Sequence, residues 1–326
     1  MADDKAEVLM IGPVKKLIAD GLNAAFKLHV MATAKDGEAL LAEIAPRVRA
    51  IASSAPSAKA DRALIRRLPR LEIISSFGVG YDNIDIKAAV EHKIVVANTP
   101  QVLTEEVADT ALGLLLCTVR EFPQADRFVR AGKWKSGDYP LSKATLRNRI
   151  VGMAGLGQIG KAIARRLDAF GVPVVYHSRS PQKDVGYRYY PKLVDMARDV
   201  DTLIVITPGG PATRNLINAE VLAALGPNGI LINMARGSVV DERALIKALE
   251  DRTIYSAGLD VFVNEPQVPA ELLAMDHIVL FPHLGSSSQF TRAKMEQLVV
   301  DNLLAWQAGK PPLTPLPETP WAGWKG

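Results

Sequence analysis

Short apolar runs alternate with amphipathic stretches along most of the chain. In the first hundred residues the runs are EVLMIG, AIASS, LEIISS and KIVVAN, with helical spacing between them. Near-continuous apolar strands separated by helices predict βαβ units and a parallel sheet covered on both faces. A long helical stretch is predicted over 104–130, followed by GKWKSGDYPLSK, which is polar and loop-like. A second α/β series then begins, with strands at RIVGMAG, VPVVYHS, TLIVIT, GILINMA, IYSAGLD and HIVLFP. SSSQFTRAKMEQLVVDNLLAWQAG reads as one helix with serines at 286–288 available as caps. The proline-rich KPPLTPLPETPWAG after it reads as extended. No short repeat occurs, and the two halves share no motif. The pattern predicts an α/β protein with two doubly wound parallel sheets.

Composition narrows the function. At 326 residues, 48% hydrophobic and 23% charged, the chain has the make-up of a globular protein and the length for two domains. The formal charge of +4 is spread among interspersed acids and bases. No basic stripe with interleaved aromatics is present, which argues against nucleic acid, while a modest positive excess suits anionic small molecules. No apolar run reaches the roughly 20 residues needed to span a membrane. The single Cys117 excludes an internal disulfide and a cysteine-cluster metal site; it lies in the apolar helical run TALGLLLCTVR and reads as a packing thiol. No metal site is expected. The acidic opening MADDKAEVLMIGP is unlike a signal peptide, so a cytoplasmic location is expected.

IVGMAGLGQIGKAIARRL is a strand, the loop Gly155, Leu156, Gly157, Gln158, Ile159, Gly160, and a helix. With a further strand arriving after it, this G-x-G-x-x-G has the context of a dinucleotide-binding turn. Gly155 allows the tight turn, Gly157 a close approach of backbone to pyrophosphate, and Gly160 close helix–strand packing. The helix N-terminus offers free N–H groups and a positive dipole end. At the end of the next strand, VVYHSRSPQ has no acid where one would bond a ribose 2′-hydroxyl. Ser178, Arg179 and Ser180 stand there instead. An arginine can grip a 2′-phosphate through paired charge-assisted bonds, and the serines can add hydroxyl donors. The cofactor expected is therefore NADP(H).

Three further strand ends carry chemistry. LINMARGSVVDE places Arg236 past an apolar strand, AGLDVFVNEP places Asp260 and then Glu265, and HIVLFPHLGSSS places His283. Ligands of open α/β sheets bind outside the carboxyl ends of the strands, so these side chains can converge there. Reduction of a ketone needs a hydride and a proton. A histidine can supply the proton, a neighbouring glutamate can keep it charged and oriented, and an arginine can hold a carboxylate or polarise a carbonyl. His29, His92, His177 and His277 read as structural.

The chain resembles the D-isomer-specific 2-hydroxyacid dehydrogenases along nearly its whole length. Within them it looks most like the glyoxylate/hydroxypyruvate reductases and the plant hydroxyphenylpyruvate reductases. The matching stretches are SSFGVGYDNID, ANTPQVLTEEVAD, GKWKSGDYPLS, GLGQIG, INMARGSVVDE, AGLDVFVNEP and PHLGSSS. The resemblance implies that Arg236 binds substrate, that Glu265 pairs with His283, and that His283 is the acid/base. It implies that Val79 and Gly80 offer backbone N–H groups to the substrate carboxylate and that Ser286 and Trp134 also serve the substrate. Asp260 would anchor the nicotinamide carboxamide, and Thr207, Met234 and Ala235 would line the cofactor. Two departures are the missing second-strand acid and Gly209 with Gly210 in TPGGPATRNLI, where Leu-Thr is commoner.

The resemblance further implies a discontinuous, flavodoxin-like substrate domain (1–99 and 285–326). A Rossmann NADP-binding domain (100–284) would be inserted into it and carry a dimerisation arm at about 121–147. Phe122, Phe128, Trp134 and Tyr139 give that arm the aromatic surface of an interface, so a homodimer is expected. The leading expectation is NADPH-dependent reduction of small 2-oxo acids to D-2-hydroxy acids. The alternatives are a reductase of bulkier aromatic 2-oxo acids and, from another class, a non-catalytic nucleotide-sensing scaffold.

Overall fold

The structure is a computed structural model that describes residues 5–323; the acidic start (1–4) and the last three residues (324–326) lie outside the described residues. The chain divides into two compact units. One runs to Leu103 and resumes at Ser288; the other is Thr104–Ser287.

The first unit holds β1 (Glu7–Ile11), β2 (Lys27–Val30), β3 (Val48–Ser53), β4 (Ile73–Ser76) and β5 (Val95–Ala97). They form one parallel sheet in the order β2-β1-β3-β4-β5, the flavodoxin-like order. Leu9, Ile51, Ile74 and Val96 fill the sheet core, with Leu41, Ile44 and Ile65 from the covering helices. Asp36, Asp61 and Asp85 each accept a backbone N–H from the first turn of the helix they precede, which defines where those helices begin. The last helix, Gln289–Gln307, is capped by Ser288, which accepts from Thr291 N–H. It packs on β4, where Ser75 Oγ donates to the Val299 carbonyl at 3.0 Å.

The second unit holds β6 (Val151–Ala154), β7 (Val174–His177), β8 (Arg188–Tyr190), β9 (Thr202–Val205), β10 (Ile230–Asn233), β11 (Ser256–Leu259) and β12 (Val279–Leu280). All pair in parallel, in the order β12-β11-β10-β9-β6-β7-β8. The chain winds outward from β6 in one direction, then returns to β9 and winds outward in the other. The crevice between β6 and β9 is thus the switch point where such sheets bind nucleotides.

Two features differ from the sequence reading. The edge strands β2 and β8 were not anticipated. Their sequences, KLHV and RYY, are partly exposed and carry no continuous apolar run, as suits edge positions. The helix expected over 104–130 is two helices, Thr104–Arg120 and Phe122–Arg130, broken at the left-handed Glu121 (φ 56°). Pro123 has no N–H to give the Val119 carbonyl, so the first helix stops, and proline is tolerated in the first turn of the second. The Glu121 carboxylate holds the break by accepting from Tyr139 Oη at 3.1 Å and Tyr255 Oη at 2.7 Å. Burial and that carboxylate push the Tyr255 hydroxyl up to about 12.

Helix Thr104–Arg120 lies tight against β11. A methyl on Gly258 would sit 2.5 Å from Thr118 Oγ1 and 2.9 Å from both Leu114 Cγ and Ile232 Cδ1. Gly258→Ala should therefore cost about 1–3 kcal/mol through overpacking, read as a lower urea midpoint with an unchanged slope.

Candidate active site

The glycine loop follows β6. Gly155 takes φ +104°, and a Cβ there would lie 2.9 Å from the Ile206 carbonyl oxygen. A Cβ on Gly160 would lie 2.7 Å from the Gly155 carbonyl oxygen. The chain's own packing requires these two glycines. At Gly157 a Cβ would meet nothing within 4 Å, so open space lies against that backbone. The helix Gln158–Ala169 begins there with no side-chain cap, leaving the first-turn N–H groups and the dipole for an anion. Leu156 is buried beneath the loop, while Ile159 is half-buried and Gln158 exposed. Beyond β9, Thr207 Oγ1 is buried without a hydrogen-bond partner among the described residues. An uncapped helix start, an open glycine and an orphaned hydroxyl at the switch point fit a dinucleotide phosphate site.

Past β7, Arg179 and Ser180 are exposed, and Arg179 has no hydrogen bond or ion pair among the described residues. The Ser178 hydroxyl donates to the Ser180 carbonyl at 2.6 Å, closing a tight turn. In the departing loop after β9, Thr213 Oγ1 donates to the Pro208 carbonyl at 2.7 Å and Gly210 takes φ 123°, so Gly209 and Gly210 change the loop locally.

The strand ends β10, β11 and β12 supply the remaining side chains. His283 Nδ1 lies 2.7 Å from Glu265 Oε2, with both side chains about one-third exposed at 34%. Glu265 Oε1 accepts the Phe262 N–H at 3.0 Å, which fixes the carboxylate plane. Burial raises the Glu265 pKa, but the His283 hydrogen bond and charge, the Phe262 N–H and the Arg236 charge outweigh it and hold the carboxyl below its ordinary value. Glu265 is therefore an anion that faces Nδ1, and Nε2 is left as the imidazole atom able to pass a proton outward.

Arg236 reaches this place through a turn that the sequence reading missed. Asn233, buried at the end of β10, accepts the Ala235 N–H at 3.1 Å and donates to the Arg236 carbonyl at 3.1 Å. Met234 and Ala235 are buried at that exit. Gly237 then passes so close to the next loop that a Cβ would lie 2.0 Å from the Phe262 carbonyl carbon. Only a glycine allows the Arg236 turn to press on the loop that carries Glu265. The signals in the sequence were a polar Asn ending an apolar strand and a Gly directly after the arginine.

Asp260 is tied to the turn at His283. It is 2% exposed, and its two oxygens accept the N–H groups of Leu284 (Oδ1, 2.5 Å) and Gly285 (Oδ2, 3.0 Å), while its carbonyl accepts the His283 N–H at 2.8 Å. Desolvation raises its pKa despite those bonds and the His283 charge. Asp260 thus shapes the turn at His283, whose backbone is left-handed (φ 53°). Ser286 is buried just after that turn.

The remaining expected residues lie on other segments. Val79 and Gly80 follow β4 in the first unit, where Asn98 Nδ2 donates to the Val79 carbonyl at 2.8 Å and the N–H groups of Val79 and Gly80 have no acceptor among the described residues. Trp134 is 64% exposed in the turn Lys133–Ser136. His29 is bonded to Glu7 at 2.8 Å and His177 to the Tyr190 carbonyl at 2.9 Å, both structural. Burial pushes the Cys117 thiol up, as for a packing residue. Among the described residues no cluster could hold a metal ion and no helix is long and apolar enough to cross a membrane.

A phosphate-binding switch point beside a carboxylate–histidine pair and an arginine defines a nucleotide-linked acid/base enzyme. Residues 112–285 match the family model for the NAD-binding domain of D-isomer specific 2-hydroxyacid dehydrogenases, and the chain belongs to that family. Among its relatives, glyoxylate/hydroxypyruvate reductase A of Arabidopsis thaliana is 46% identical over 95% of this chain and 98% of its own. Hydroxyphenylpyruvate reductase of Plectranthus scutellarioides is 44% identical over the same shares, 95% and 98%. The NADPH-dependent glyoxylate/hydroxypyruvate reductase of Sinorhizobium meliloti, solved with NADP and malonate, superposes with a TM-score of 0.91 at 48% identity over 98% of each chain.

Asp260→Ala should free the Leu284 and Gly285 N–H groups. Amide hydrogen exchange at those two positions is expected to accelerate well beyond that of the β6 and β9 strand amides, which stay protected.

Proposed function

We propose that this enzyme reduces small 2-oxo acids, glyoxylate and hydroxypyruvate first, to D-2-hydroxy acids with NADPH. The observation that carries the reading is the His283 Nδ1 contact with the Glu265 carboxylate, placed with Arg236 at the strand ends beyond the glycine loop. Gly157, the first turn of the helix Gln158–Ala169 and Thr207 would hold the pyrophosphate, Met234 and Ala235 would flank the dinucleotide, and Arg179 would pair with a 2′-phosphate. Ser178 stands where an acid would repel that phosphate. When bound, the dihydronicotinamide supplies a hydride. Arg236 would draw electron density from the substrate carbonyl or hold its carboxylate, and the Ser286 side chain would add a hydrogen bond. In the first unit, the N–H groups of Val79 and Gly80 are donors suited to a carboxylate. His283 gives its Nε2 proton to the carbonyl oxygen, and Glu265 stabilises the imidazolium that precedes the transfer.

The homodimer belongs to the same proposal. Helix Phe122–Arg130 is amphipathic yet buries none of its residues, and Phe122, Val129, Trp134 and Leu141 are exposed. An exposed apolar face of this kind suits a second copy of the chain. A cytoplasmic setting is proposed with it. The bulkier aromatic substrates of the 44% identical hydroxyphenylpyruvate reductase form the second reading. A panel of glyoxylate, hydroxypyruvate and hydroxyphenylpyruvate with NADPH and NADH decides between them, and absence of NADPH oxidation with every 2-oxo acid would overturn both.

Reduction draws its proton from the imidazole, so His283→Ala should lose about 10²–10⁴-fold in kcat. Glu265→Gln removes the carboxylate that orients Nδ1 and should lower kcat while leaving KM for NADPH nearly unchanged. Steady-state kinetics check both. Arg179→Ala should raise KM for NADPH about tenfold to a hundredfold while leaving KM for NADH nearly unchanged, since a bond to a charged group contributes about 1.5–3 kcal/mol. Light scattering should give twice the chain mass, and Trp134→Ala should change KM for 2-oxo acids more than for NADPH.

A further inference from the structure

In the first unit two cations stand over one buried ring. Lys15 Nζ is 4.5 Å and the Arg292 guanidinium carbon 5.2 Å from the centroid of Phe77, which is 1% exposed. Lys15 follows the turn after β1 and precedes the helix Lys16–Ala25; Arg292 lies in the first turns of the helix Gln289–Gln307; Phe77 directly follows β4. Lys15 also pairs with Glu296 at 3.4 Å, and both of those side chains are largely buried (21% and 16% exposed). The turn that delivers Lys15 is built for the purpose. Ser54 Oγ bonds the carbonyls of Ile11 at 3.0 Å and Pro13 at 2.7 Å, and Gly12 takes φ 91°, with a Cβ there falling 2.7 Å from Ser54 Oγ.

Phe77 opens the segment Phe77, Gly78, Val79, Gly80. Thr99 Oγ1 accepts the Gly78 N–H at 2.9 Å, and Asn98 holds the Val79 carbonyl. The two N–H groups left over are those of Val79 and Gly80. A ring pinned by two cations on one side, and a carbonyl pinned on the other, leave this segment little freedom. The cations also place positive potential at the carboxyl end of β4, and cation–ring attraction grows when the site is desolvated.

We propose that Lys15 and Arg292, acting through Phe77, position the Val79 and Gly80 N–H groups and bias them electrostatically toward the substrate carboxylate, with Glu296 as the opposing charge that moderates the effect. This rests on the reading of the protein as a 2-oxo acid reductase in which those N–H groups receive the carboxylate. Lys15 and Arg292 are positioning residues; neither is assigned a contact with substrate.

The test uses the full-length enzyme, glyoxylate as substrate and oxamate as a dead-end carboxylate. Lys15→Met keeps the length and apolar stem of the side chain and removes its charge. It should raise KM for glyoxylate and Ki for oxamate together by about tenfold, with kcat and KM for NADPH within about twofold of wild type. Lys15→Arg should restore both. Glu296→Gln should move them the opposite way, lowering KM and Ki about threefold, a direction that mere loosening of the fold would not produce. Should Lys15→Met not fold, Glu296→Gln and Arg292→Lys carry the test through the same two constants. Unchanged KM and Ki in Lys15→Met, or a rise in both constants in Glu296→Gln, overturns the proposal while the wild type still turns over glyoxylate. No turnover by the wild type overturns the functional reading and this proposal with it.

Discussion

The site in the second unit depends on one buried carboxylate. Asp260 gives both oxygens and its own carbonyl to three consecutive backbone N–H groups, at His283, Leu284 and Gly285. Backbone groups in a turn need partners, and an exposure of only 2% at Asp260 leaves water unable to serve them all. Asp260 meets that need and, in doing so, bends the chain at His283 into a left-handed conformation that is uncommon outside glycine. The imidazole then faces Glu265. Desolvation of Asp260 costs free energy, which its hydrogen bonds offset only in part; the same bonds fix the turn that carries His283.

Around that turn, the other contributions converge by contact rather than by sequence proximity. The closeness of Gly237 to Phe262 lets the β10 exit lean on the β11 exit, so Arg236 lowers the Glu265 pKa from a different strand. Phe262 answers with its N–H to Glu265. Arginine, carboxylate and imidazole are thus coupled through backbone packing that has no redundancy. A single methyl at residue 237 would separate them.

Most of this was legible in the sequence because the chemistry lies where the periodicity ends. Each of Arg236, Glu265 and His283 follows an apolar strand, and the alternation of strands and helices identifies the carboxyl edge as their common location. The glycine loop was legible for the same reason. The unread parts depend on who partners whom in space. The sequence shows an Asp after AGL, and only the folded turn shows that its oxygens are taken by residues 284 and 285. The bond from the Ser178 hydroxyl to the Ser180 carbonyl is likewise visible only in the folded turn. The break at Glu121 hid within a continuous helical pattern because Pro123 can serve equally as a first-turn residue. The strands β2 and β8 escaped notice because their residues are partly exposed and apolar patterning fades where burial is incomplete.

Those weak edges have a bearing on how the chain avoids aggregation. A parallel sheet with a long, flat, apolar margin invites strand addition by another molecule. The second unit closes its sheet with three residues, Arg-Tyr-Tyr, on one side and two residues, Val279 and Leu280, on the other. On the first of these margins Arg188 lies over the Tyr190 ring, its guanidinium carbon 4.5 Å from the centroid, which puts a charge beside the free strand edge. So short a template, charged on one side, offers an incoming strand few backbone bonds and a desolvation cost. A chain that leaves Phe122, Val129 and Trp134 exposed thereby keeps its sheet margins unattractive to an incoming strand.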